Sequence, residues 1–111
     1  MSVLPDEVVA KIVQTIVREV DPERIYLFGS HARGQSRRDS DLDLLIIDRE
    51  PFGSGRGRLQ EVRKIYRALS PFRVPKDILL YSSEEFFKWR DSANHIIGTC
   101  SREGVLLYER S

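Results

Sequence analysis

The order of apolar patterns along the chain predicts an α/β (α+β) domain, a mixed β-sheet of about four strands packed with helices. Three observations carry this. Helical-period stripes alternate with short, wholly apolar runs of strand length. Proline, glycine and capping residues punctuate them. The connections also differ in length: about a dozen residues join the first two strands, and a longer link containing a helix joins the second to the third.

Val8, Val9, Ile12, Val13, Ile16, Val17 and Val20 recur at helical spacing behind Pro5, which predicts a helix over 5–20, ended by Asp21-Pro22. Ile25-Tyr26-Leu27-Phe28 is a strand stopped by Gly29. Leu42 to Ile47 is apolar on both alternating faces, as in a central strand. Leu59, Val62, Ile65, Tyr66 and Leu69 mark a helix over 56–70, and Asp77 to Tyr81 a third strand. Ser82-Ser83-Glu84-Glu85 is a capping-box signal. Behind it, Phe86, Trp89, Ala93, Ile96, Ile97 and Cys100 fall on one face of a single helix. Gly104 is placed for a left-handed C-cap, and Val105 to Tyr108 is the last strand.

Composition bounds the function. With 111 residues the chain has length for one domain, 1–111, and one core. A net charge of +1 argues against a protein built to wrap duplex nucleic acid, so no direct nucleic-acid binding is expected. The single cysteine, Cys100, rules out an internal disulfide and a cysteine-based zinc site, and reads as a buried small hydrophobe. The N-terminus has no signal-peptide pattern and no apolar stretch is long enough for a membrane span, so a cytoplasmic protein is expected. Gly53-Ser54-Gly55-Arg56-Gly57-Arg58 lacks the ending of a phosphate-binding P-loop and reads as a mobile surface loop, its arginines available to a phosphate or an acidic partner.

The segment YLFGSHARGQSRRDSDLDLLII holds the chemistry. Asp41 and Asp43 share one face of a strand, about 6.6 Å apart along it. At an effective dielectric near 20, two such charges repel by roughly 2.5 kcal/mol. A divalent cation between them removes that cost, and hard oxygen donors on a rigid element suit Mg²⁺. Antiparallel pairing of the first two strands, with parallel pairing of the second and third, brings Gly29-Ser30, Asp41, Asp43 and Asp77 to one edge of the sheet. Gly29 permits a tight turn, and amides over 30–34 with the Ser30 hydroxyl and Arg33 can hold a phosphate. Alternative readings are that either aspartate caps a turn, that Asp77 is a solvated residue at the strand start, or that Arg33 pairs with a surface acid. Arg37 and Arg38 read as solvated loop residues or partner contacts. His31 and His95 show no metal-ligand spacing and read as turn-exposed and helix-face residues.

GSHARGQSRRDSDLDLLI resembles the signature of the minimal nucleotidyltransferase family, within the DNA polymerase β-like nucleotidyltransferases. Gly29, Ser30, Ala32, Arg33 and Gly34 match its first part, and Ser40, Asp41 and Asp43 its second. Asp77 stands where the third acid is expected, and Gly104-Val105-Leu106-Leu107-Tyr108 is similar to the closing pattern. The resemblance implies that Asp41 and Asp43 bind one or two Mg²⁺ ions. Gly29 and Ser30, with Arg33 and Ser40 beside them, would hold the nucleotide, and Asp77 would complete the metal site or act as base. It further implies ATP as substrate and a hetero-oligomer with a HEPN-domain ribonuclease toxin. The chain would then be an antitoxin moving AMP to a toxin tyrosine. A binding module that silences its partner by occlusion, and a transferase acting on an aminoglycoside-type small molecule, are the alternatives.

Overall fold

The computed structural model describes residues 6–32, 41–53, 55 and 57–110. Among these residues nine elements follow one another: α1 Asp6–Val20, β1 Arg24–Phe28, α2 Gly29–Ala32, β2 Leu42–Asp48, α3 Arg58–Ala68, β3 Lys76–Ser82, α4 Ser83–Trp89, α5 Ile96–Glu103 and β4 Val105–Glu109. The strands form one sheet in the order β3-β2-β1-β4. β1 runs antiparallel to β2 and β4, and β2 parallel to β3. The β1–β2 and β2–β3 pairings are those that the connection lengths predict.

β2 is hydrogen-bonded on both sides and covered on both faces. Leu42, Leu44 and Ile46 point into a core with Ile12 and Ile16 of α1 and Ile65 of α3. Leu45 and Ile47 point the opposite way, against Phe86 of α4 and Ile97 and Cys100 of α5. The period-2 alternation of a strand thus explains why a continuous apolar run is needed here. β3 continues both layers with Ile78 and Leu80 on the first face and Leu79 and Tyr81 on the second. Its Ile78 amide donates to the Tyr66 hydroxyl of α3 at 2.9 Å, which ties α3 to β3.

The single helix expected after Ser82 is two. Ser82 caps α4 as predicted, accepting from the Glu85 amide at 3.1 Å while the Glu85 carboxylate accepts from the Ser82 amide at 2.9 Å. α4 stops at Trp89, ahead of Ser92, Asn94 and His95, which are weaker helix formers, and of the local side-chain acceptors on Ser92 and His95. The Asn94 amide donates to Ser92 Oγ at 3.3 Å, and the Ile97 amide to His95 Nδ1 at 3.1 Å. His95 is therefore the N-cap of α5 rather than a helix-face residue, with its ring stacked on Trp89. The new corner is close: a Cβ on Gly98 would overlap the Ser92 carbonyl.

Gly104 also departs from expectation. Its backbone is extended, at φ −75° and ψ 160°, not left-handed. Glycine is required for room, since a Cβ there would meet the Cys100 carbonyl oxygen at 2.6 Å and that of Leu27 at 3.2 Å. α5 thereby ends directly against β1 and turns into β4. Gly104→Ala should lower stability by about 1–3 kcal/mol in urea unfolding through this overpacking. Gly53→Ala, where a Cβ would meet nothing within 4 Å, should leave stability unchanged or raise it by up to about 1 kcal/mol.

Candidate functional site

One register line crosses three strands at the edge predicted to hold the site. Phe28, the last residue of β1, is paired with Asp43, and Asp43 with Asp77. Adjacent strands put these Cα atoms about 4.8 Å apart. Leu42 and Leu44 fill the α1/α3 core, so alternation turns Asp43 to the α4/α5 face; Ile78 does the same for Asp77. Asp41 precedes the strand, where the Leu42 amide donates to the Pro75 carbonyl at 2.8 Å. Asp41 and Asp77 are exposed and Asp43 half-buried.

Gly29 turns the chain immediately after β1 with φ +74°, a conformation that L side chains rarely adopt. A Cβ there would overlap Asp43 Oδ2, so the missing side chain is what lets a carboxylate lie against the β1–α2 turn. The backbone of Gly29–Ala32 is helical, and the first amides of such a turn have no partner within it. The side chains of Ser30 and His31 lie outside the described residues, as do Arg33, Gly34, Arg37, Arg38, Ser40 and Arg56.

The sequence pattern singled out Cys100 as a core residue but did not place it near the site. It is fully buried on the α4/α5 face. Burial first, and the Asp43 charge second, push its thiol from the ordinary 9.0 up to about 12. It remains protonated at neutral pH, so it is neither a nucleophile nor a thiolate ligand. The side-chain donors of Asp41, Asp43 and Asp77, among the described residues at the edge, are carboxylate oxygens. Among the described residues no three His, Cys, Asp or Glu side chains gather into a complete metal cage. That set fits an ion held by one or two carboxylates with the remaining ligands from substrate and water, the usual way of Mg²⁺.

Arg58 lies elsewhere. It opens α3, and its guanidinium donates to both Glu85 oxygens at 2.7 Å while stacking over Phe52 and Tyr81. Burial would raise the Glu85 carboxyl, but the Ser82 amide and Arg58 hold it below the usual carboxylate range. Ser82 and Asp48 pair five residues beyond Asp77 and Asp43, about 16 Å along the strands. Arg58 therefore has an acidic partner within its own chain and is remote from the aspartate edge.

A family model described as polymerase beta, nucleotidyltransferase matches residues 10–111. The chain belongs to this nucleotidyltransferase family. MntA of Haemophilus influenzae, assigned as a protein adenylyltransferase, is 42% identical over 77 residues, covering 68% of this chain and 66% of MntA. A Methanocaldococcus jannaschii protein with the same assignment is 36% identical over 70 residues, covering 63% of this chain and 65% of the relative. The matched part thus spans about two thirds of the length of these relatives. A Sulfolobus solfataricus structure described as a nucleotidyltransferase superposes with TM-score 0.62 at 21% identity, covering 94% of this chain and 79% of that one. A toxin–antitoxin structure with AMP-PNP gives TM-score 0.56 at 20% identity, covering 97% and 76%. At these identities the structural likeness is one of fold. The nucleotidyltransferase fold is thus in place here.

The protonated thiol has a measurable consequence. Folded protein at pH 8 should react with iodoacetamide at least about 10²-fold more slowly than urea-unfolded protein. Because the folded pKa lies above the unfolded one, the stabilisation is complete below pH 9.0 and is lost as pH rises toward 12. The fall in urea midpoint between about pH 9 and pH 11 should accordingly be smaller in Cys100→Ala than in the parent.

Proposed function

We propose that this chain is a Mg²⁺-dependent protein adenylyltransferase that acts as an antitoxin, moving AMP from ATP to a tyrosine of a HEPN-domain toxin in the cytoplasm. The observation that carries the reading is the Phe28–Asp43–Asp77 register line beside Gly29. Family membership and the relationship to MntA support it. No helix among the described residues is long and apolar enough to cross a membrane.

In this reading Asp41 and Asp43 hold the metal, with Asp77 completing the set or serving as base. When bound, Mg²⁺ supplies Lewis-acid stabilisation of the phosphate charge. The Gly29-Ser30 turn, with Arg33 and Ser40, holds the nucleotide phosphates so that the α-phosphorus faces the acceptor. Asp77 accepts the proton of the tyrosine hydroxyl. The tyrosine oxygen bonds to the α-phosphorus, the bond to the bridging oxygen of the β-phosphate breaks, and pyrophosphate leaves. Asp43 is half-buried, with its carboxylate lying against Gly29 and the protonated Cys100 buried on the same face.

The test is transfer of label from α-labelled ATP, with Mg²⁺, to a HEPN toxin encoded beside this chain's gene. The parent should label the toxin on tyrosine, and Asp43→Asn should lower the rate by at least about 10²-fold. An unlabelled toxin, neutralised equally by parent and Asp41→Asn/Asp43→Asn protein, would establish inhibition by occlusion instead.

A further inference from the structure

The aspartate edge has a second wall that the sequence motifs do not include. Ile96, Thr99 and Glu103 sit at i, i+3 and i+7 of α5 and so share one helix face. They line a cavity of about 140 Å³ whose opposite side is Phe28, Gly29 and Ala32. Gly29 is also the residue against which Asp43 Oδ2 rests, so cavity and carboxylate adjoin. The wall is fixed in place: Gly98 packs on the Ser92 carbonyl, Cys100 is buried, and Gly104 seats the end of α5 on the Leu27 carbonyl. Glu103, the last residue of α5, is thereby held at the sheet edge with its side chain exposed.

We infer that this cleft receives the ribose of the nucleotide, with Glu103 accepting hydrogen bonds from the ribose hydroxyls. The inference rests on the nucleotide-transfer reading above and adds the sugar subsite to it. Size is the first reason. Pockets that enclose a whole drug-sized ligand run to roughly 300–1,000 Å³, so a space of 140 Å³ takes one part of a nucleotide. Position is the second. The ribose is the part bonded to the α-phosphate, and this space adjoins the edge where that phosphate would sit. Chemistry is the third. Phe28, Ala32 and Ile96 offer apolar contact to the ring, while a carboxylate is acceptor-only and matches paired hydroxyl donors, as acidic residues do for ribose in dinucleotide sites. The Thr99 hydroxyl donates only weakly to the His95 carbonyl, at 3.5 Å, and its lone pairs are available to the sugar.

Calorimetric binding of α,β-methylene-ATP and its 2′-deoxy and 3′-deoxy forms, with Mg²⁺, tests this on the full chain. The parent should bind the ribonucleotide about ten-fold or more tighter than a deoxy form, as expected for a hydrogen bond to a charged group. Glu103→Ala should bring the ratio to near one by weakening ribonucleotide binding while deoxy binding holds. Glu103→Gln, which keeps the shape of the residue, should retain a reduced preference, and Thr99→Val should also diminish it. An unchanged ratio in Glu103→Ala, or a parent that binds all forms equally, overturns the sugar subsite and leaves the transferase reading standing. A parent that binds none of them overturns both.

Discussion

β2 is the constraint on which everything else rests. A strand paired on both sides and buried on both faces tolerates no charge along its middle, because a lone carboxylate among Leu and Ile costs several kcal/mol. Leu44, Leu45, Ile46 and Ile47 obey that rule and are all buried. Asp41 and Asp43 stand at the strand's start, where the sheet edge meets solvent. The site thus lies where the core permits charge to stand, and the rigidity of the core becomes the rigidity of the site.

The two helical layers play different parts. α1 and α3 close the face away from the aspartates and serve burial. α4 and α5 cover the face from which Asp43 and Asp77 project, and α5 ends beside the β1–α2 turn. Two glycines set this arrangement by what they lack. Gly29 gives Asp43 room on one side, and Gly104 lets α5 meet β1 on the other. Cys100, buried on the α4/α5 face, keeps its proton and adds no further negative charge near Asp43.

Much of this was legible from residues alone. The pattern around Leu42–Ile47 announced a central strand, and connection lengths were enough to give the pairing and hence the gathering of Gly29, Asp43 and Asp77. The split of the last helix was not legible from apolar spacing, because Ala93 keeps the helical register through the break. What breaks the helix is local competition by the Ser92 and His95 side chains for the backbone amides of Asn94 and Ile97, a choice that side-chain hydrogen bonds decide. The role of Gly104 was legible only as a helix end, since its contact is with Leu27, distant in sequence and brought near by the β1–β4 pairing. For the same reason the α5 wall, with Thr99 and Glu103, could not be seen until α5 was correctly bounded.

The account stands on the aspartate edge being a nucleotide site built around a divalent ion. Calorimetry of ATP binding to the parent and to Asp41→Asn/Asp43→Asn, with Mg²⁺ and with EDTA, addresses that claim most directly. Saturable binding that requires Mg²⁺ and disappears in the double variant, with the urea midpoint retained, is the predicted result. Binding that is indifferent to EDTA, or equal in the double variant, would contradict it.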